Sequence, residues 1–210
     1  MKIKAALFDL DGTLIDSMWV WERLLRDFLV KHNLKPIPEV IDKVAYMSLA
    51  QSSVYVRDVY GLSMTAEEIL AQWRQAVYHA YAEEITLKPG AKDYLEKQKE
   101  KKVKIGLVTA CDPTLAQACL KHNGVLDLFD AITYVDDVGI GKQMPDIYEE
   151  ALRRLQCKAE EAVLFEDILV GVRTAKKMGL HVVAVEDSQE EKEALKQEAD
   201  LYIRNFLELT

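Results

Sequence analysis

The chain has 210 residues, which is long enough for one sizeable core with an insertion and short for two independent domains. Hydrophobic residues make up 50% of it and charged residues 30%, a balance typical of a globular protein rather than a disordered or fibrous one. The formal net charge is −8 and no basic stripe is present, which argues against nucleic acid as a partner. A small molecule is the expected partner.

The cysteines and the first residues bear on localisation. The start, MKIKAALFDL, has an apolar run too short to span a membrane and no signal-peptide cleavage pattern. Cys111, Cys119 and Cys157 include no Cys-x-x-Cys pair, and any disulfide would leave one of them unpaired. We therefore expect a cytoplasmic protein with buried, reduced thiols and neither a zinc site nor a membrane partner. A monomer is expected, although the sequence leaves the oligomeric state open.

The first element is a short apolar run at residues 3–8 that ends at Asp9-Leu-Asp-Gly, which predicts a buried strand followed by a polar loop. From residue 18 to about residue 84 the apolar residues follow helical spacing without a strand pattern. Thr65 and Glu68 form a Thr-x-x-Glu capping box within this block. Residues 17–85 are therefore predicted to form an all-helical cap domain, inserted into a core of residues 1–16 and 86–210.

Strand and helix patterns alternate after Lys88-Pro-Gly. Strands are predicted at residues 103–109, 131–135, 162–165 and 181–185, with helices between them. Asp112 as N-cap and Pro113 at the first helical position mark the start of the first of these helices. The alternation predicts an α/β fold with a doubly wound parallel sheet.

Polar residues stand at the ends of the predicted strands. In an open parallel sheet, ligands bind beyond the carboxyl ends of the strands, where the strand order reverses. The residues placed at that edge are Asp9, Asp11, Thr109, Lys142, Glu166 and Asp167. Taken singly, several have ordinary structural interpretations: Thr109 as a strand-end hydroxyl, Lys142 as a surface amine, Asp167 as a helix N-cap. Their joint occurrence at successive strand ends favours a functional site.

Asp9 and Asp11 are two residues apart, so an extended backbone would direct both carboxylates to one side, and Gly12 permits a tight turn. A calcium-binding loop is the alternative interpretation. It fails because the position that needs a bidentate glutamate holds Val20. The spacing instead suits one carboxylate that attacks and another that transfers protons.

At this point the sequence resembles the haloacid dehalogenase superfamily, specifically its branch of β-phosphoglucomutase-like and phosphatase-like proteins with a helical cap. The resemblance covers nearly the whole chain and rests on four motifs in the expected order: Asp9-Leu-Asp-Gly-Thr, Thr109 at a strand end, Lys142 before Pro-Asp-Ile-Tyr, and Glu166-Asp167 before Gly-Val. The departures are Cys111, Gln143 and Ile168, and none replaces a group that performs chemistry. A Rossmann-like core is the fold that this resemblance implies.

The resemblance implies a magnesium-dependent phosphatase that acts on a small phosphorylated metabolite. Asp9 is expected to attack phosphorus, giving an aspartyl phosphate, while Asp11 transfers protons to the leaving group and from water. Thr109, Ala110 and Lys142 are expected to bind the phosphoryl oxygens. The Mg²⁺ ligands are expected to be Asp9, Asp167, the backbone carbonyl of Asp11, and Glu166 either directly or through water.

A phosphosugar mutase resembling β-phosphoglucomutase is the main alternative. A mutase must hold a second phosphate, yet residues 46–51 contain no cation, and Trp21 stands where that enzyme has a helper histidine. Asp112 replaces a lysine that the mutase has.

Trp19 and Trp21 are interpreted as part of the cap core rather than as substrate contacts, and comparable candidates for contact are Tyr46, Met47 and Ser48.

Overall fold

The computed structural model describes residues 3–44, 47–187 and 191–209. The chain forms two compact units: Met1–Ser17 with Ile85–Thr210, and Met18–Glu84. Each junction between them lies one residue from the predicted boundary.

The larger unit is built on a six-stranded parallel sheet in the order β3-β2-β1-β4-β5-β6. The strands are β1 (Ala5–Phe8), β2 (Lys104–Thr109), β3 (Ala131–Tyr134), β4 (Ala162–Glu166), β5 (His181–Val185) and β6 (Leu201–Ile203). Because the chain runs from β1 outward to β3 and then returns to place β4 beside β1, the order reverses between β1 and β4. The predicted α/β fold with a doubly wound parallel sheet is confirmed.

Ten α-helices are found among the described residues. In chain order they are α1 (Met18–Lys31), α2 (Pro38–Val44), α3 (Leu49–Tyr60), α4 (Ala66–His79), α5 (Ala91–Glu100), α6 (Pro113–His122), α7 (Val135–Val138), α8 (Asp146–Leu155), α9 (Leu169–Lys177) and α10 (Lys192–Glu198). The first four belong to the smaller unit, in which a π-helical turn, Ala80–Glu84, follows α4.

The ends of the predicted strands shift by up to two residues, and one strand of the sheet was not predicted. The third strand ends at Tyr134 rather than Val135, because Val135 begins α7. β6 was not predicted, because it has only three residues and just one of them, Ile203, is buried, so it shows no extended apolar pattern. It pairs with β5 at the edge of the sheet.

The central strand β1 is apolar on both faces. All four residues of β1 are buried, and the ring of Phe8 stacks on that of Phe165 from β4 at 4.6 Å between centroids. Tyr94 from α5 and Phe206 complete this aromatic cluster. Strands buried on both faces are typical of α/β folds, and here the packing holds the carboxyl ends of β1 and β4 side by side.

The smaller unit is a set of helices around its own core, and no strand occurs among its described residues. The predicted capping box at Thr65 is present, and Ser48 and Gln51 form a second one at the start of α3. The buried residues of the core are Leu25, Phe28, Leu29, Val40, Val56, Ile69 and Trp73. Trp21 is 41% exposed and is not among the buried residues of this core, so its assignment to the cap core is wrong. It lies in the first turn of α1, before the part of the helix that carries the core residues. Tyr46 lies outside the described residues.

Cys119 is buried, as was expected of all three cysteines, but Cys111 and Cys157 are partly exposed. None of the helices in the described part of the chain is long and apolar enough to cross a bilayer.

Candidate active site

The site begins where β1 ends. Asp9 directly follows Phe8, and its backbone amide donates to the carbonyl of Phe165 on β4 at 3.0 Å. Since Phe8 pairs in register with Phe165, the next residues along each strand, Asp9 and Glu166, emerge side by side at the carboxyl edge. This is the position where the strand order reverses, as the sequence predicts for the ligand site.

Gly12 forms the tight turn after Asp11 and has a φ of 79°, in the left-handed region that favours glycine. A Cβ atom at this position would lie 2.3 Å from Oδ2 of Asp167, so a side chain is excluded by contact as well as by backbone conformation. The next residue, Thr13, is buried, and its hydroxyl donates to Oδ1 of Asp167 at 2.9 Å. The first loop, which follows β1, therefore orients the carboxylate of Asp167.

Lys142 brings a buried positive charge to this edge. Its ammonium donates to Oδ1 of Asp9 and, at 2.7 Å, to Oε2 of Glu166. Only 7% of Lys142 and none of Glu166 is exposed. Although burial by itself lowers the pKa of Lys142, the negative charges of Asp9 and Glu166 raise it above its usual value. Lys142 is therefore a fixed cation, not the surface amine of the alternative interpretation.

Glu166 uses both of its oxygens in hydrogen bonds. Oε2 accepts from Lys142 and, at 3.4 Å, from the hydroxyl of Tyr148, while Oε1 accepts from the backbone amides of Asp167 and Ile168 at 3.2 and 3.3 Å. Gly171 on α9 makes room for this side chain, because a Cβ there would lie 2.8 Å from the Glu166 carboxylate. Burial raises the pKa of Glu166, while Lys142 opposes that rise.

Asp9, Glu166 and Asp167 each offer a carboxylate oxygen, and the three oxygens lie within 4.8 Å of one another. Burial, together with the charges of Asp9 and Glu166, raises the pKa of Asp167 well above its usual value. Crowded, desolvated carboxylates repel one another, and a hard cation with oxygen ligands relieves that repulsion. The donor set therefore fits a divalent cation such as Mg²⁺.

Thr109 is the last residue of β2, beside β1 in the sheet, and it is buried. Its Oγ1 accepts from the backbone amide of Cys111 at 3.0 Å, which shapes the loop around the exposed Ala110. Asp112 accepts from the amides of Thr114 and Leu115 at the start of α6. The predicted N-cap is therefore present.

The second carboxylate of the first motif has a partner that the sequence did not suggest. Ser17 is fully buried, and its hydroxyl donates to Oδ1 of Asp11 at 2.7 Å. A hydrogen bond of this length restricts the orientation of the Asp11 side chain.

Four of the residues predicted from the sequence, Asp9, Lys142, Glu166 and Asp167, form one connected cluster. Asp11 follows β1, and Thr109 ends the adjacent strand β2 at the same edge. The roles of Thr13, Ser17 and Tyr148 were missed. Thr13 and Tyr148 belong to the first and third motifs of the sequence, whereas Ser17 lies outside the four motifs. Spacing alone does not indicate that the hydroxyls of Thr13 and Tyr148 bond carboxylates more than 15 residues away.

Comparisons with known proteins agree with this architecture. The family model for haloacid dehalogenase-like hydrolase matches residues 6–185. The validoxylamine A 7'-phosphate phosphatase of Streptomyces hygroscopicus subsp. limoneus is 31% identical, over 98% of this chain and 95% of its own. The phosphorylated carbohydrates phosphatase of Thermotoga maritima is 24% identical, over 85% of this chain and 82% of its own.

Among solved structures, CbbY from Rhodobacter sphaeroides in complex with phosphate superimposes with a TM-score of 0.74 at 25% identity, covering 99% of this chain and 96% of that one. The fold, the cluster at the switch point and the family match define a haloacid dehalogenase-like hydrolase, and this chain belongs to that family. Within the family it is a phosphoric monoester hydrolase, as the sequence predicted.

Proposed function

We propose that this protein is a magnesium-dependent phosphatase that hydrolyses a small phosphorylated metabolite by way of a phosphorylated Asp9. The observation that carries the proposal is the buried contact of Asp9 with Lys142 beside the carboxylates of Glu166 and Asp167. A nucleophilic carboxylate held by a fixed cation, next to a cation-binding pair, is what attack on an anionic phosphate ester requires.

Asp9 supplies the nucleophile. Its backbone is fixed by the hydrogen bond to Phe165, and the ammonium of Lys142 fixes its side chain, so the carboxylate is oriented before substrate binds. The same ammonium offsets negative charge on the phosphoryl oxygens. Thr109 and the backbone amide of Ala110 complete the phosphoryl-binding edge from the end of β2.

Asp9, Asp167 and the backbone carbonyl of Asp11 are the proposed ligands of Mg²⁺. When bound, the ion neutralises phosphoryl oxygens and helps align the ester for in-line attack. Glu166 already bonds Lys142 and two backbone amides, so we assign it to the support of Lys142 and to contact with the ion through water. Thr13 orients Asp167 toward this arrangement.

Asp11 transfers protons. As an acid it protonates the departing alcohol oxygen as the bond to phosphorus breaks, and as a base it then takes a proton from the water that attacks the aspartyl phosphate. These steps return Asp9 and Asp11 to their starting states and release inorganic phosphate. Ser17 holds the carboxylate that must serve twice.

The substrate class is proposed from the relatives. Two of them act, by name, on a validoxylamine phosphate and on phosphorylated carbohydrates. We therefore propose a phosphorylated carbohydrate or a similar polyhydroxylated metabolite for this chain, and the net charge of −8 agrees with a small substrate rather than a polyanion.

The test combines turnover with trapping of the intermediate. The purified protein should hydrolyse p-nitrophenyl phosphate in the presence of Mg²⁺ and lose this activity in a chelator. Acid quench during turnover of acetyl phosphate labelled on phosphorus should leave label on the parent protein but not on Asp9→Asn. The control Asp136→Asn, which alters an exposed aspartate, should be labelled like the parent. Turnover that continues in the chelator, or label that persists in Asp9→Asn, would contradict the proposal.

A further inference from the structure

A second buried lysine lies at the same edge of the sheet. Lys88, in the segment that follows the smaller unit along the chain, is only 8% exposed. Its ammonium donates to the carbonyl oxygen of Glu186 at 2.6 Å and to Oδ1 of Asp187 at 3.1 Å. Both partners follow β5, whose carboxyl end lies at the edge where β1 and β4 present Asp9 and Glu166.

Asp187 lies next to the proposed cation site. A Cβ atom on Gly12 would be 2.3 Å from Oδ2 of Asp167 and 3.1 Å from Cγ of Asp187, so the two carboxyl groups flank the same point of the first loop. Lys88 also joins that loop through its backbone, because its amide donates to the carbonyl of Leu14 at 2.8 Å. Lys88 thus connects the first loop, Asp187 and the end of β5.

The charges of this region would be unfavourable without Lys88. Asp9 and Glu166 already share the ammonium of Lys142, and Asp167 adds a third carboxylate within 4.8 Å of them. Asp187 is a further carboxylate beside Asp167, and its side chain is only 15% exposed, so water screens its charge incompletely. An ammonium 3.1 Å away offsets that charge and directs Oδ1 toward Lys88.

We propose that Lys88 is a positioning residue that sets the cation affinity of the site: it holds and neutralises Asp187, so that Asp187 supports the Gly12 turn without acting as a further ligand. This inference rests on the proposed function in placing a divalent cation at Asp9 and Asp167. It assigns to Lys88 and Asp187 opposite electrostatic effects on that cation.

The test is direct measurement of Mg²⁺ binding to the full chain by calorimetry, after removal of metals with a chelator. Lys88→Met removes a positive charge and releases Asp187, so affinity should rise by roughly tenfold. Asp187→Asn removes a negative charge at nearly constant shape and leaves Lys88 uncompensated, so affinity should fall by roughly tenfold. In the double variant the two changes should cancel to within about threefold of the parent.

Lys99→Met is the matched control. Lys99 pairs with Asp130 at 2.8 Å, and Asp130 precedes β3 at the amino edge of the sheet. Removing the Lys99 ammonium should therefore leave the Mg²⁺ affinity unchanged. If the ion pair of Lys88 and Asp187 were merely structural, the Mg²⁺ affinity would change in the same direction in Lys88→Met and Asp187→Asn, or would not change.

If the parent binds Mg²⁺ and hydrolyses phosphate esters, affinity changes of the same sign in both single variants, or no change, would overturn this inference alone. A parent that does neither would overturn the proposed function, and this inference with it. Should Lys88→Met fail to fold, the isosteric Asp187→Asn still decides the matter, since an unchanged or higher affinity refutes the proposed balance of charge.

Discussion

Lys142 donates a hydrogen bond to Asp9 across 133 residues of sequence, and the same ammonium bonds Glu166. The three side chains are almost completely buried. A buried charge network of this kind is costly to break from one side, because the remaining charges lose their partner. The arrangement links catalysis and stability in one group of atoms.

Lys142→Met should therefore abolish turnover and also destabilise the metal-free protein by about 3–5 kcal/mol, the usual cost of leaving a buried charge unpaired. Chemical denaturation in a chelator measures this. Adding Glu166→Gln to the variant should recover part of the loss, because it removes one of the unpaired carboxylates. Equal stability of parent and Lys142→Met would show that the ammonium does not compensate these carboxylates.

Asp9→Asn should abolish turnover while the protein stays folded. The amide keeps the shape of the carboxylate but cannot attack phosphorus and binds a cation poorly. Activity assays beside a thermal melt test this, with Asp136→Asn as an exposed control that should behave like the parent. Retained activity with an unchanged melt would remove Asp9 from the role of nucleophile.

Asp167→Ala should raise the Mg²⁺ concentration needed for half-maximal activity far more than it changes the ranking of substrates, since this carboxylate is assigned to the cation. Titration of activity with Mg²⁺ across several phosphate esters separates the two effects. Thr13→Val should shift the titration in the same direction by a smaller amount, because it removes the hydrogen bond that orients Asp167. A titration of Asp167→Ala that overlays the parent's would exclude Asp167 as a ligand.

The pKa of Asp167 predicts how the stability of the metal-free protein depends on pH. This pKa is raised in the folded state by burial and by neighbouring carboxylates, above an unfolded value of about 3.9. The folded state therefore binds more protons than the unfolded state above that value, so this group makes stability fall as the pH rises through its folded pKa, by at most about 1.4 kcal/mol per pH unit.

Denaturation in a chelator at several pH values checks this expectation. Asp167→Asn cannot ionise, so it should be more stable than the parent at neutral pH, and the difference should shrink toward pH 4. Saturating Mg²⁺ should remove or reverse the difference, because the parent carboxylate then gains a partner. If the parent were more stable than Asp167→Asn at neutral pH without metal, the proposed repulsion among these carboxylates would be contradicted.

We also expect hydrolysis rather than intramolecular phosphoryl transfer. The sequence offers no cation at residues 46–51 for a second phosphate, and Asp112 carries a negative charge as the N-cap of α6. Incubation with β-glucose 1-phosphate, a trace of the 1,6-bisphosphate and Mg²⁺ distinguishes the reactions. Efficient formation of glucose 6-phosphate without release of inorganic phosphate would refute the hydrolase proposal.

Local patterns in the sequence were sufficient to predict the strands that carry the site and the helix caps at Thr65 and Asp112. Buried parallel strands are continuous apolar runs, and caps depend on residues only two or three positions apart, so both can be recognised within a short window. β6 escaped this approach because three residues with one buried side chain do not form a pattern. Trp21 was misassigned because helical spacing places it on the same face of α1 as Leu25 and Phe28 but does not show how far along the helix the core extends.

The sequence by itself determined that acidic and basic groups follow successive strands, since the carboxyl ends of parallel strands lie at one edge of a sheet. Only the tertiary structure decided which of these groups touch: Lys142 with Asp9 and Glu166, Thr13 with Asp167, and Lys88 with Asp187. The physical reason is that these contacts depend on the strand order and on the path of each loop. Both result from packing among residues far apart in the chain, which no local spacing records.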